Sequence, residues 1–158
     1  MCIIIDPPAL LLVFKAKDRA YAKFKPVEEW LTNNSNIKLV YGGDEYIRQL
    51  ANEGSILKVF NELKKSRRTA KINDSIVNKI EKEIEENFSC QSFDDRFLAA
   101  IVCASGCRLI CINDKKAHKY LTDKTVYQPY KVKKPKIYSN QTNKDLLCAQ
   151  NIVELKNC

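Results

Sequence analysis

The sequence predicts an α/β fold: a three-layer α/β/α domain around a mostly parallel central sheet. Short apolar runs that read as strands alternate with longer segments of helical periodicity, in the order strand, helices, strand, helices, strand, helix. Acidic residues stand where those strands end or those helices begin, as they do along the ligand-binding edge of an open α/β sheet. A chain of 158 residues, 45% hydrophobic and 29% charged, is long and apolar enough to bury one such core.

Each element has its own signal. Cys2-Ile3-Ile4-Ile5 reads as a buried strand closed by Asp6-Pro7-Pro8. Residues 9–22 read as a helix beginning near Ala9. Pro26 is placed to open a second helix through Val27, Trp30 and Leu31, since proline is tolerated in a first turn. Asn33-Asn34-Ser35-Asn36 is a loop by composition, and Ile37 to Tyr41 a second strand broken by Gly42-Gly43. Asp44 is placed to cap a helix through Tyr46, Ile47 and Leu50. Ile56, Leu57, Phe60 and Leu63 share one face of the next helix, which ends in the basic turn Lys64-Lys65-Ser66-Arg67-Arg68. Thr69 to Ile72 is a short strand. Asp74 is placed to cap a helix whose stripe is Ile76, Val77, Ile80, Ile84 and Phe88. Asp95 to Ser105 is a helix of small and apolar residues, stopped by Gly106. Residues 108–113 form a strand and Lys115 to Leu121 a short helix. Beyond Thr122 the pattern fades, leaving Lys136-Ile137-Tyr138 as an edge strand.

The net charge is +8, and between Lys115 and Lys136 eight lysines face one acid, Asp123. Glu81, Glu83, Glu85 and Glu86 crowd another short segment. Lysines that attract a phosphate backbone, beside carboxylates that hold a metal, suit a nuclease. No apolar run approaches the roughly 20 residues of a membrane helix. The early acid and the lack of a basic leader predict no signal peptide. Seven cysteines, an odd count without a Cys-x-x-Cys pair, predict neither a zinc site nor a disulfide framework. Cys103, Cys107 and Cys111 read as core, and the expected compartment is a reducing cytoplasm.

Asp6 ends the first strand, Asp94 and Asp95 open the alanine-rich helix, and Asp114 follows the strand Leu109-Ile110-Cys111-Ile112-Asn113. Folding would bring these carboxylates to one edge, where they repel unless a cation compensates them. Clustered hard oxygen ligands suit Mg²⁺ or Mn²⁺. His118, the only histidine, reads as a surface residue. No glycine-rich phosphate loop or dinucleotide fingerprint is present. Asp145 with Glu154-Leu155-Lys156 faintly echoes restriction-type nucleases, but lacks the strand and helix that such a core needs beyond its lysine. A phospho-acceptor layout is not evident.

The segments Asp95-Arg96-Phe97-Leu98-Ala99-Ala100 and Gly106-Cys107-Arg108-Leu109-Ile110-Cys111-Ile112-Asn113-Asp114 resemble the C-terminal half of PIN domains. Asp95 matches the aspartate that opens the family's alanine-rich helix, Asp114 its final aspartate and Asp6 its N-terminal one. The order of elements agrees over residues 1–121, and residues 94–116 carry the specific likeness. The resemblance implies residues 1–125 as a PIN-like domain, with 126–158 as a C-terminal extension packed on it. It also implies an Mg²⁺- or Mn²⁺-dependent endoribonuclease, with Asp6, Asp95 and Asp114 as metal ligands and Asp94 and Glu45 in support. Arg96, Lys115, Lys116 and Lys119 would hold the RNA backbone. Many such proteins are toxins paired with an antitoxin protein, and they commonly form dimers, so a homo-oligomer is expected.

Three positions depart from the family pattern. Pro8 replaces the asparagine of Asp-x-Asn, Gln49 stands where a further acid is usual, and Ile112 replaces a serine or threonine. Glu45 or Glu53, one turn to either side of Gln49, could substitute for the acid. The alternative reading is a degenerate PIN-like module that binds RNA or a partner protein without catalysis.

Overall fold

A computed structural model describes residues 1–15, 21–88, 92–148 and 155–156. Its centre is a five-stranded sheet in the order β3-β2-β1-β4-β5. The strands are β1 (Cys2–Ile5), β2 (Lys38–Tyr41), β3 (Thr69–Lys71), β4 (Leu109–Cys111) and β5 (Lys136–Tyr138). Every pairing is parallel, with Ile3 opposite Leu39, Val40 opposite Ala70, Ile5 opposite Cys111 and Ile110 opposite Ile137. β1 and β4 are buried along their whole length. Unbroken apolar strands of this kind are expected where helices cover both faces of a parallel sheet.

The helices are α1 (Pro7–Phe14), α2 (Tyr21–Asn33), α3 (Asp44–Asn52), α4 (Gly54–Lys65), α5 (Asp74–Asn87), α6 (Arg96–Ser105), α7 (Lys115–Leu121) and α8 (Lys124–Tyr127). α1 packs with α2 and α4, whereas α6 packs with α5, α7 and α8, which gives the three layers. α6 is buried from Phe97 through Ser105. A helix apolar on all sides belongs inside a core, and each of Phe97, Leu98, Ile101 and Val102 stabilises the fold by about 1.5–3 kcal/mol through burial. Gly106 ends α6 with φ 76°, a left-handed conformation that glycine adopts without Cβ strain.

Several local expectations change. The helix expected over residues 9–22 is instead α1, which starts two residues earlier because Pro7 and Pro8 fit a first turn. It ends at Phe14, where Lys15 turns extended; Tyr21 and Ala22 belong to α2, and residues 16–20 lie outside the described residues. Pro26 does not open α2 but sits inside it. An interior proline frees the carbonyl four residues back. That carbonyl, of Ala22, accepts from the Gln141 side-chain amide, and the neighbouring Lys23 carbonyl accepts from the Tyr138 hydroxyl at 2.9 Å. The β5 end of the chain thus satisfies the helix that proline interrupts.

Asp44 and Asp74 are first-turn residues, not caps. Gly43 occupies the α3 cap position, and Asn73 caps α5 through Oδ1, which accepts from the Ser75 and Ile76 N–H groups. Gly43 takes φ 84°, and a Cβ there would meet Val77 Cγ1 at 2.6 Å. Its N–H donates to Asp74 Oδ1 at 2.9 Å, and the Asp44 N–H donates to Asn78 Oδ1 at 2.9 Å. The Gly42-Gly43 corner therefore ties the start of α3 to the start of α5. Beyond Thr122 the expected edge strand is β5, and the segment also carries α8 and 3₁₀ turns over Gln128–Tyr130 and Gln141–Leu146 that its pattern did not suggest.

Candidate acidic site

Because all strands run the same way, their carboxyl ends share one edge. From β1 the chain steps to one side through β2 and β3, then returns to the other side for β4 and β5. The reversal lies between β1 and β4, the place where open α/β sheets form their ligand crevice. Asp6 follows β1 there, and its N–H donates to the Cys111 carbonyl at 3.0 Å, the last residue of β4. Asp114 stands three residues beyond Cys111 and starts α7. Asp95 starts α6.

Asp6 is one of two buried polar side chains among the described residues, at 7% exposure. It precedes α1 without capping it, and no hydrogen-bond donor among the described residues reaches its carboxylate. Burial pushes its carboxyl up from 3.8 to about 8, and the charges of Asp95 and Asp114 add to that rise. Asp95 also occupies a cap position without using its side chain as a cap. Burial raises it to about 6, with contributions from Asp114 and Asp94. Asp95 thus loses its proton before Asp6, and its charge then holds the proton on Asp6. Asp114 is exposed, and its Oδ1 accepts the Lys116 N–H at 2.8 Å, which caps α7 and fixes the carboxylate's orientation. Three acids from three separate segments of the chain therefore act on one another at the β1–β4 edge.

Among the described residues, no three or more His, Cys, Asp or Glu side chains form a cluster that could hold a metal ion. Mg²⁺ does not require one, since it retains several waters and takes one or two direct carboxylates. The donor set at this edge is all oxygen. Its most buried member, Asp6, makes no helix-cap hydrogen bond with its carboxylate, which suits a hard divalent cation.

The supporting residues divide. Asp94 is exposed and lines a groove of about 610 Å³ with Ser92, Lys115, Lys116, Lys119 and Tyr120. The three lysines expected to meet RNA therefore share one concavity with an acid next to Asp95. Tyr120 stacks on Phe93 at 5.3 Å between centroids, and Lys119 Nζ lies 4.5 Å from the Tyr120 ring centre. Arg96 turns elsewhere, its guanidinium 3.0 Å from Glu85 Oε1. Glu45 is bound by Arg48, at 2.6 and 2.8 Å, and by the Gln49 amide at 2.9 Å. The Arg48 hydrogen bond holds its carboxyl below the usual range. Glu53 is not on α3 at all; it is the extended residue between α3 and α4 and accepts from Ser55.

His118, expected at the surface, is half-buried. Burial lowers its basicity, and its Nε2 is enclosed without a hydrogen bond. Cys2, Cys103, Cys107 and Cys111 are buried, and burial pushes the Cys103 thiol up to about 12. Cys90 and Cys158 lie outside the described residues.

Two residues near the site escaped the sequence reading. Tyr46 is fully buried, its hydroxyl donating to the Ile5 carbonyl at 2.7 Å, directly behind Asp6. Burial and then the Asp6 charge raise its phenol well above the ordinary value. Glu81 on α5 is half-buried and raised by burial, then by Glu45. The crowding of glutamates near it was visible in the sequence, but not which one faces inward. No described helix is long and apolar enough to cross a membrane. Comparison with protein-family models, with curated proteins and with solved structures returned no match for this chain.

Proposed function

We propose that the chain is a PIN-like endoribonuclease that depends on Mg²⁺ or Mn²⁺ and works in the cytoplasm. The observation that carries this reading is the mutual electrostatic stress of Asp6, Asp95 and Asp114 at the β1–β4 edge. A buried carboxylate raised by burial and by two neighbouring acids is costly to ionise unless a cation relieves it. Strained groups of this kind cluster at functional sites.

A divalent cation held by Asp6, Asp95 and Asp114 would activate water and stabilise charge on the phosphoryl group. The chain's own groups do the rest. Asp114 is oriented through its Oδ1, which accepts the Lys116 N–H. Tyr46 pins the Ile5 carbonyl and so keeps Asp6 at the strand end. Lys115, Lys116 and Lys119 attract the RNA backbone into the groove that begins at Asp94. A toxin role, an antitoxin partner and a homo-oligomer follow from the resemblance in the motif around Asp95 and Asp114.

The test is cleavage of a mixed RNA pool with Mn²⁺. Asp95→Asn should lower the rate by at least about 10²-fold, the scale of losing one charge-stabilising group, while the melting transition persists. Equal rates would remove the proposed role. A second reading has one observation in its favour: Glu45, the candidate supporting acid, is already engaged by Arg48 and Gln49. Under that reading the chain binds RNA or a protein without cutting, and calorimetry with Mn²⁺ would give no heat.

A further inference from the structure

A second, chemically different pocket lies at the opposite edge of the sheet. Arg108 immediately precedes β4 and Lys136 opens β5, so both mark the amino-terminal ends of their strands. There Arg108, Lys124, Lys133, Lys134 and Lys136 surround a cavity of about 400 Å³. Its remaining lining among the described residues is Val132, Pro135 and Gln128, with no carboxylate among them. None of the five cations forms an ion pair among the described residues. Asp123, the acid on which Lys134 acts, is held by the Thr125 N–H and hydroxyl at 2.9 and 2.7 Å. Arg108 Nε is enclosed without an acceptor among the described residues.

Five like charges around one concavity repel unless an anion compensates them, and an enclosed donor without an acceptor is costly. The volume falls within the ordinary range for a small-ligand site. Lysines and an arginine recognise phosphate. An apolar patch accepts the face of a base, and an amide can both donate to and accept from its edge. We propose that this pocket binds one nucleotide unit, its phosphate on Arg108 and the lysines and its base against Val132 and Pro135. The unit is either part of a single-stranded RNA or a free nucleotide.

The experiment uses the full chain in EDTA, so that it is independent of any cation or cleavage at the acidic edge. Binding of AMP and of a labelled single-stranded RNA is measured across salt concentrations for the parent, K133A/K134A and R108Q. The two lysines are exposed, so the double variant should melt like the parent. If the unit belongs to a strand, the double variant binds RNA at least about tenfold more weakly and its salt slope falls by about 1.4, two contacts at about 0.7 each. If it is a free nucleotide, RNA binding is unchanged and AMP binding is lost in both variants. Unchanged binding of both ligands in both variants, or no binding of either by the parent, overturns the proposal.

Discussion

Replacing Asp6 by asparagine should stabilise the metal-free protein, and the gain should grow with pH. In the native state Asp6 keeps its proton up to about pH 8, because it is buried beside Asp95 and Asp114. In the unfolded chain it loses that proton near 3.8. Between those values the native state binds more protons than the unfolded one, so stability falls as pH rises. A rise of about four units, at about 1.4 kcal/mol each, corresponds to ~6 kcal/mol of lost stability above pH 8. That is a large part of the 5–15 kcal/mol typical of a whole domain. Asp6→Asn keeps the shape and removes the titration. It should match wild type near pH 4 and exceed it by up to ~6 kcal/mol at about pH 9. The raised Asp95 carboxyl acts with the same sign up to about pH 6 but is present in both proteins, so it cancels in the difference. Urea unfolding in EDTA at several pH values reads the effect directly. Two parallel stability–pH profiles would refute the reasoning.

Further changes probe the scaffold. Gly43→Ala forces a side chain to φ 84° and onto Val77, and should cost about 2–5 kcal/mol in chemical unfolding. Tyr138→Phe removes the donor to the Lys23 carbonyl beside the interior proline and should cost about 1 kcal/mol. Asn73→Ala deletes the α5 cap and should also cost about 1 kcal/mol, whereas Asp74→Asn should leave the cap in place. Tyr46→Phe leaves the Ile5 carbonyl buried without its donor, and should lower stability by about 1–3 kcal/mol.

The fold was legible because β1, β4 and α6 are nearly pure apolar runs, with Asp6 after β1 and Gly106 after α6 as stops. Such patterns depend on burial, which the sequence displays directly. β4 and α6 fell where expected for that reason, and α7 and β5 also lie where the sequence predicts them. Local ends were harder to read. Asn73 and Asp74 are both good capping residues, and only the backbone path decides which one caps. Pro26 could sit inside a helix because Gln141 and Tyr138, more than 100 positions away, take up the carbonyls, and no local pattern reveals such partners. The three aspartates were visible as strand-end and helix-start acids. Arg96 was read as an RNA contact because α6 starts beside the site, but the Glu85 carboxylate on a different helix turns it away. Tyr46 looked like an ordinary core aromatic, and its tie to Ile5 needs the β1–α3 contact to be known.

In the proposed function, Asp6, Asp95 and Asp114 share one divalent cation. Mn²⁺ titration followed by electron paramagnetic resonance tests it most directly, on wild type and on Asp6→Asn, Asp95→Asn and Asp114→Asn. The prediction is one site per chain in wild type, weakened at least about tenfold by each substitution, a loss of about 1.4 kcal/mol or more. Binding that is the same in all four proteins, or absent from wild type, would contradict it.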